Sequence, residues 1–200
     1  MTKKLIVFGC GGHSRSVIDV LIAMKDNAEI IFVDENAMDG EKIYGFSVVK
    51  NYDISDEDVF FALGDNLHRK MIYDTIGRNN LISIISDKSH VGIYSEIGKG
   101  TFIGNYCHIG PHVKIGDNTI INNGAVVDHE VIIGNHCHIG PNSTVSGRSC
   151  IEDLVFLGVG ATVVDKVRIC SNVVIGAGAT VTKHITEPGT YVGAPAKRIK

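Results

Sequence analysis

The chain has 200 residues, including 23 glycines and no tryptophan, and only 6% of its residues are aromatic. A hydrophobic content of 44% excludes intrinsic disorder, and the length favours one or two domains. The 19 basic and 22 acidic residues give a net charge of -3 without a Lys/Arg cluster, which argues against nucleic acid or an anionic membrane surface as a partner.

The N-terminal segment predicts neither a signal peptide nor a membrane span. Its apolar run after Lys4 is ended by Gly9, so it is too short for either role. The five cysteines form no CxxC pair and no small disulfide framework. We therefore expect a cytoplasmic protein.

Alternating strand and helix patterns predict a small α/β domain at the start of the chain. The expected elements are a strand at 4–8, a turn at 9–13, a helix at 14–24, strands at 29–34 and 59–63, and a helix at 66–76. The apolar face of the first helix is expected to comprise Val17, Val20, Leu21 and Met24. This order indicates a doubly wound sheet whose ligands lie at the carboxyl ends of the strands.

The glycine turn after the first strand has three interpretations. A dinucleotide site needs a third glycine where Ser14 stands, so that match is incomplete. The turn could also be purely structural, or it could hold the phosphate or base of a nucleotide sugar, with Asp34 accepting bonds from a base or ribose. His13 would then meet phosphate or cap the turn.

The second half of the chain is a six-residue repeat. Every sixth residue from Val91 to Val181 is aliphatic, and nine of these residues are followed by glycine. The residue four positions after each aliphatic one is small, from Ser95 to Ala179. Because strand residues at i and i+4 share a face, this pattern predicts a narrow solenoid with small and aliphatic side chains inside. We expect the glycines to supply the turn conformation at the corners.

This repeat resembles the hexapeptide-repeat acyltransferases, whose motif forms a left-handed parallel β-helix with three hexads per coil. The ending Val192-Gly193-Ala194-Pro195-Ala196-Lys197 is similar to the family's terminal segment, which closes over coenzyme A. The resemblance implies a homotrimer with active sites between neighbouring helices. The expected domains are a Rossmann-like nucleotide-sugar-binding domain at 1–88 and an all-β acyltransferase domain at 89–200.

An α/β domain followed by hexapeptide repeats resembles one bacterial subfamily of sugar O- and N-acyltransferases. That subfamily includes nucleotide-linked 4-amino-sugar N-acetyltransferases and sialic acid O-acetyltransferases. Its N-terminal domain holds the acceptor, which implies acceptor-binding roles for five residues: Gly12, His13, Asp34, Gly64 and Asp65. An Asn can also occur at the position of Asp65.

Five histidines lie between residues 108 and 138, which makes a metal-binding site one possible interpretation. In Asn135-His136-Cys137-His138, however, Cys137 is at an inward position while its neighbours point outward. An intersubunit zinc site would need three converging histidines, and we expect no metal. His108, His112 and His136 are expected to be solvated or interface residues.

The segment Asp128-His129-Glu130 is the stronger candidate for chemistry. Acetyl transfer needs a base, a group that orients it and a donor for the thioester oxyanion. His129 is expected to face outward, where Glu130 or Asp128 could hold its ring. In the resembled subfamily the base is the His of a His-Glu pair, which implies His129 as base with Glu130 orienting it.

The repeat places Gly147 one coil after His129, where its N–H is predicted to bind the oxyanion. His138 lies half a coil away from His129, so the two can share a site only across a subunit interface. The resemblance implies contact of His138 and Gly147 with acetyl-coenzyme A. It implies the same for the following residues: Gly158, Val159, Gly176, Ala177, Pro195 and Lys197.

The leading hypothesis is acetyl transfer from acetyl-coenzyme A to the 4-amino group of a UDP- or dTDP-linked 4-amino-deoxysugar. The resemblance implies a place in bacterial surface glycan biosynthesis, such as that of lipopolysaccharide O-antigen. The rivals are O-acetylation of sialic acid or another sugar hydroxyl, a non-catalytic nucleotide-sugar-binding trimer, and an NAD-linked enzyme or metal hydratase.

Overall fold

The computed structural model describes residues 4–25 and 28–200. The N-terminal elements are β1 (Lys4–Phe8), α1 (Gly12–Ala23), β2 (Glu29–Val33), β3 (Lys42–Ile43), β4 (Phe46–Val49), β5 (Asp58–Phe61) and α2 (Asn66–Ile76). The strands form one sheet in the order β3-β4-β2-β1-β5, with every pair parallel except β3 with β4. The predicted α/β domain is confirmed, and its strand β1, which lies between β2 and β5, is buried over Leu5 to Val7.

Two local predictions in this domain were wrong. Helix α1 begins at Gly12 rather than Ser14, because Gly11 is the N-cap and the Ser14 hydroxyl donates back to the Gly11 carbonyl at 2.6 Å. Met24 is an exposed C-cap residue, and Ile18 takes its expected place on the buried face. The β3–β4 hairpin was not predicted from the sequence.

The rest of the chain is a parallel β-helix with three sheets, numbered here in chain order. The first sheet contains β6 (Ile84–Ile85), β9 (Phe102–Ile103), β12 (Ile120–Ile121), β15 (His138–Ile139), β18 (Phe156–Leu157), β21 (Val173–Ile175), β23 (Gly189–Val192) and β24 (Lys197–Arg198). The second contains β7 (His90–Val91), β10 (His108–Ile109), β13 (Val126–Val127), β16 (Thr144–Val145), β19 (Thr162–Val163) and β22 (Thr180–Val181). The third contains β8 (Glu96–Ile97), β11 (Lys114–Ile115), β14 (Ile132–Ile133), β17 (Cys150–Ile151) and β20 (Arg168–Ile169).

Paired strands of neighbouring coils are 18 residues apart, as in Ile109 with Val127 and Ile115 with Ile133. The repeated aliphatic residues and the small residues four positions later fill the interior, where Val127 and Ala125 are both fully buried. Inward hydroxyl groups are satisfied by carbonyls of the next coil: that of Thr119 donates to Gly134 O at 2.9 Å. The predicted solenoid and its interior are confirmed.

The expected role of the repeat glycines was wrong. The left-handed backbone occurs three positions after each aliphatic residue, as at Asn118 (φ 55) and Glu130 (φ 56), and not at the glycines directly after it. Those glycines are required by contact between coils. A Cβ on Gly98 would lie 2.4 Å from Gly116 C, and one on Gly110 would lie 2.7 Å from His129 N.

The N-terminal domain packs on the outside of the first sheet. Ile84, Phe102 and Ile120 belong to the same apolar cluster as Val17 of α1 and Phe60 of β5. The two domains therefore share a core along one side of the prism, and the first sheet is the side that meets the α/β domain. No helix within the described residues is long and apolar enough to cross a membrane.

Candidate active site

His129 and Glu130 lie together at the corner between the second and third sheets. The Glu130 carboxylate is 3.1 Å from Nδ1 of His129. Since a carboxylate only accepts hydrogen bonds, this contact places the proton on Nδ1 and leaves the lone pair on Nε2. The His129 side chain is 40% exposed, and its Nε2 lies 4.0 Å from the Asp128 carboxylate. The Asp128 carboxylate accepts the backbone N–H of His129 at 2.7 Å.

Gly147 lies against the His129 ring in the next coil. A Cβ on Gly147 would be 2.7 Å from both Cε1 and Nε2 of His129, so only glycine leaves room for the ring in this position. The Gly147 carbonyl accepts the Lys166 N–H, whereas the Gly147 N–H donates to no oxygen of residues 4–25 and 28–200. The corner therefore combines an oriented imidazole with an unpaired amide donor one coil away.

His138 lies on the first sheet, on a different side of the prism from His129. Its Nδ1–H donates to Gly64 O at 3.1 Å, and its Nε2 accepts from the Asn122 amide at 3.1 Å. Burial lowers the pKa of His138 to about 4, with the nearby Arg69 charge acting in the same direction. His138 is therefore a neutral residue at the junction of the two domains.

His13 is half-buried at the same junction. Its ring packs edge-on against Phe102, with the ring centroids 4.9 Å apart, and lies 6.2 Å from the His138 ring. Burial lowers its pKa to about 3, assisted by His138 and Arg69. Within the described chain, its buried Nε2 has no hydrogen-bond partner. A cationic contact of His13 with phosphate is thus disfavoured, and a neutral imidazole is presented instead.

The other predicted acceptor residues are divided between two places. Both Asp34 oxygens accept backbone N–H groups, from Cys10 at 2.9 Å and from Asn36 at 3.0 Å, and so hold the glycine turn. Gly12 begins α1 and is exposed. Asp65 is the N-cap of α2 and accepts the His68 N–H at 2.8 Å.

Two cavities flank the segment between β5 and α2. A cavity of about 670 Å³ opens at the carboxyl ends of β1, β2 and β5 and is lined by Gly9, Asp34, Lys50, Asp53 and His68 among others. A second cavity, of about 260 Å³, lies between the N-terminus of α2 and the first sheet. Gly64 and Asp65 line the second cavity, together with Phe156 and Val174. Lys50 and Asp53 were not predicted from the sequence, because the cavity wall after β4 carries no recognisable motif.

The remaining predicted donor residues lie along the corner between the first and second sheets and at the C-terminal end. A Cβ on Gly158 would lie 2.5 Å from Ala177 N, and Val159 is 54% exposed. Gly176 packs against Val192, whereas Pro195 and Lys197 are exposed beyond β23.

The other histidines form no metal centre. His108 and His112 are exposed, but His136 is only 7% exposed and is covered by the α/β domain, so a solvated position was wrong for it. Burial raises the pKa of the inward Cys137 thiol to about 12. In the described part of the chain, no three His, Cys, Asp or Glu side chains are arranged to hold a metal ion.

The comparisons with known proteins match both domains. The PglD N-terminal domain profile covers residues 4–76, the bacterial transferase hexapeptide profile covers 94–129 and 115–147, and the hexapeptide repeat of succinyl-transferase covers 150–183. The chain therefore contains a PglD N-terminal domain followed by bacterial transferase hexapeptide repeats. The fold is accordingly of the left-handed β-helix type.

Two solved structures share the whole architecture of this chain. The acetyltransferase domain of PglB from Neisseria gonorrhoeae FA1090 in complex with acetyl coenzyme A is 26% identical, with a TM-score of 0.91 and coverage of 100% of both chains. PerB from Caulobacter crescentus, in complex with CoA and GDP-perosamine, is 27% identical, with a TM-score of 0.85 over 98% of this chain and 97% of that one.

A curated protein sequence is also similar to part of the chain. An uncharacterised protein of Acanthamoeba polyphaga mimivirus is 36% identical over 100 residues, or 48% of this chain. The match spans 20% of that protein.

Proposed function

We propose that this protein transfers acetyl from acetyl-coenzyme A to the 4-amino group of a nucleotide-linked 4-amino-deoxysugar. The observation that carries the proposal is the corner at which Glu130 fixes the His129 ring against Gly147. The PglB acetyltransferase domain with acetyl coenzyme A and PerB with CoA and GDP-perosamine support an acetyl donor and a nucleotide-sugar acceptor.

In the proposed reaction, the acceptor nitrogen attacks the thioester carbonyl while His129 Nε2 takes the proton from that nitrogen. The negative charge that develops on the carbonyl oxygen is stabilised by the Gly147 N–H. When the carbon–sulfur bond breaks, coenzyme A leaves as a thiolate and receives the proton from the imidazolium of His129. Glu130 orients the ring and stabilises its positive charge through Nδ1.

The α/β domain is proposed to bind the acceptor. The 670 Å³ cavity has the volume of an ordinary small-molecule site and lies where a doubly wound sheet binds nucleotides. Asp34 maintains its glycine turn, and Lys50 supplies a positive charge beside it. The sugar is proposed to extend past His13 towards Gly64 and Asp65, which line the adjoining 260 Å³ cavity.

The separation between the proposed acceptor site and His129 favours a homotrimer. Gly64 contacts His138 of the first sheet, whereas His129 is at the corner between the second and third sheets. An acceptor bound to one chain is therefore proposed to meet His129 of a neighbouring copy. Acetyl-coenzyme A is proposed to lie between copies, along His138, Gly158, Val159, Gly176 and Ala177, with its adenine end near Pro195 and Lys197.

We also propose a cytoplasmic location. All five cysteines are free thiols in the structure, which suits a reducing compartment.

A coenzyme A release assay tests the function directly. Wild-type protein is given acetyl-coenzyme A with UDP-, dTDP- and GDP-linked 4-amino sugars in parallel with free sialic acids. Release only with amino sugars, and formation of an amide in the product, is the expected result. Release with sialic acids would favour O-acetylation, and binding without release for every sugar would favour a non-catalytic nucleotide-sugar-binding protein.

A further inference from the structure

Arg69 of α2 is a buried cation at the junction of the two domains. Its side chain is fully buried, yet no carboxylate in the described chain forms an ion pair with it. Burial lowers its pKa to about 10, so the guanidinium remains charged at neutral pH. A buried charge of this kind requires many well-placed acceptors, and every acceptor here is a carbonyl or amide oxygen.

One side of the guanidinium holds the segment between β5 and α2. Nη1 donates to Leu63 O at 2.9 Å, with longer contacts to Asp65 O at 3.3 Å and Gly64 O at 3.5 Å. Nη2 donates to the Asn66 side-chain oxygen at 3.0 Å. This segment, residues 63–66, is named here the acceptor turn because it contains the proposed acceptor residues Gly64 and Asp65.

The other side of the guanidinium holds the β-helix. Nε donates to Asn118 O at 3.0 Å, and Nη2 donates to His136 O at 3.1 Å and to Cys137 O at 3.0 Å. The Asn118 amide donates in return to Arg69 O at 3.2 Å. The planar fork of arginine thus spans two coils and the acceptor turn at once, which the compact ammonium of a lysine cannot do.

We propose that Arg69 is a positioning residue that fixes the acceptor turn in register with the coil that carries His138. The Cys137 carbonyl held by Arg69 directly precedes His138, and His138 donates to Gly64 O at 3.1 Å. These hydrogen bonds connect Arg69, the acceptor turn and His138 to one another. This inference rests on the proposed function, because the register matters for catalysis only if the acceptor turn and His138 contact the two substrates.

The experiment compares Arg69→Met and Arg69→Lys with Arg78→Met. Arg78 is a matched control: it also joins the α/β domain to the β-helix, through Asp117 at 3.3 Å, but it is exposed and does not contact the acceptor turn. For each full-length protein, kcat and KM for each substrate are measured. The affinity for the nucleoside diphosphate of the acceptor (UDP, dTDP or GDP) is measured by calorimetry, and amide hydrogen exchange by mass spectrometry.

For Arg69→Met we expect kcat to fall by about 100-fold, because a displacement of about 1 Å between reacting groups has that effect. The affinity for the nucleoside diphosphate and KM for acetyl-coenzyme A should change by less than about twofold, since Leu63 is the one residue of the acceptor turn that lines the 670 Å³ cavity. Exchange should increase at 63–66 and not in α1. Arg69→Lys should show the same pattern to a smaller extent, and Arg78→Met should resemble wild type.

The inference is overturned if the amide hydrogens at 63–66 exchange at the wild-type rate in Arg69→Lys. It is also overturned if the affinity for the nucleoside diphosphate falls as much as kcat, because that result would indicate a loosening of the whole α/β domain. An equal loss of kcat in Arg78→Met would also overturn it. If wild-type protein released no coenzyme A with any sugar, the proposed function would fail. Exchange at 63–66 in the lysine variant would then still show whether Arg69 sets the register of the turn.

Discussion

Replacing Gly147 with alanine should impair acetyl transfer far more than it weakens the fold. The added Cβ would lie 2.7 Å from Cε1 and Nε2 of His129 and 3.3 Å from Cδ2. Ordinary carbon contacts are about 3.5–4.0 Å, so the ring must withdraw by roughly 1 Å. That movement opposes the 3.1 Å contact that Glu130 makes with Nδ1.

A misplacement of about 1 Å corresponds to a loss of about 100-fold in kcat, or about 2.7 kcal/mol of transition-state stabilisation. The backbone of Gly147 is not left-handed, so alanine is conformationally allowed there. The loss of conformational freedom in the unfolded chain should offset part of the contact strain, by about 0.4–1 kcal/mol. Alanine also retains the backbone N–H, so the variant tests the position of the ring rather than the oxyanion donor.

The assay measures coenzyme A release and thermal unfolding for Gly147→Ala, His129→Ala and the double variant. Asp165→Asn serves as the control, since it lies one coil further along the same corner and loses only its ion pair with Arg148. If Gly147 acts through the ring, the double variant should be no less active than His129→Ala alone. A Gly147→Ala protein with wild-type kcat, or one whose activity declines only with its melting temperature, would refute the reasoning.

The remaining predictions concern the base, acid stability and a corner glycine. His129→Gln should lower kcat by about 10²–10⁴-fold with little change in KM for acetyl-coenzyme A, and Glu130→Gln by less, as measured by steady-state kinetics; full turnover without His129 would exclude it as the base. Because the pKa values of His13 and His138 are lowered to about 3 and about 4, the unfolded chain binds protons that the folded chain excludes, so stability falls as the pH drops below about 6.5, down to about pH 4 for His138 and about pH 3 for His13. The loss of unfolding free energy should approach ~1.4 kcal/mol per pH unit for each histidine. The unfolding free energy of His138→Gln, measured by urea unfolding at each pH, should fall less steeply with decreasing pH than that of wild type; an equal dependence on pH would contradict this prediction. Gly160→Ala should lower the free energy of unfolding by about 1 kcal/mol, because φ is +65 there and a Cβ meets nothing within 4 Å; an unchanged urea midpoint would contradict that cost.

The contact between His129 and Gly147 could be predicted from the sequence because a solenoid has a fixed period. Once 18 residues form a coil, residues 129 and 147 must be neighbours. The side on which His138 lies follows from the same period. No comparable rule relates residues in the α/β domain, where loop lengths vary, so the cavity wall that contains Lys50 and Asp53 was not predicted.

The sequence pattern did not predict the junction between the domains either. Arg69, Asn118 and His136 are polar residues, and a polar residue in a helix or at a repeat corner is usually exposed to solvent. They are buried because the α/β domain packs on the first sheet, where hydrogen bonds within the protein replace most of those to water. The buried Asn118 Oδ1 has no hydrogen-bond partner among the described residues. Only the packing of one domain on the other decides which polar residues lose their solvent.

The few aromatic residues also separate what the sequence determines from what the tertiary structure decides. By itself, the sequence determined that a narrow prism must be filled with aliphatic and small side chains, and the buried interior contains no phenylalanine, tyrosine or tryptophan among the described residues. The structure decided where the four aromatic residues of the repeat go: Phe102 is buried beneath the α/β domain, Phe156 lines the smaller cavity, and Tyr94 and Tyr106 are exposed at corners. The local period fixes which face of a strand is inside, whereas burial of the outer face depends on which distant part of the chain covers it.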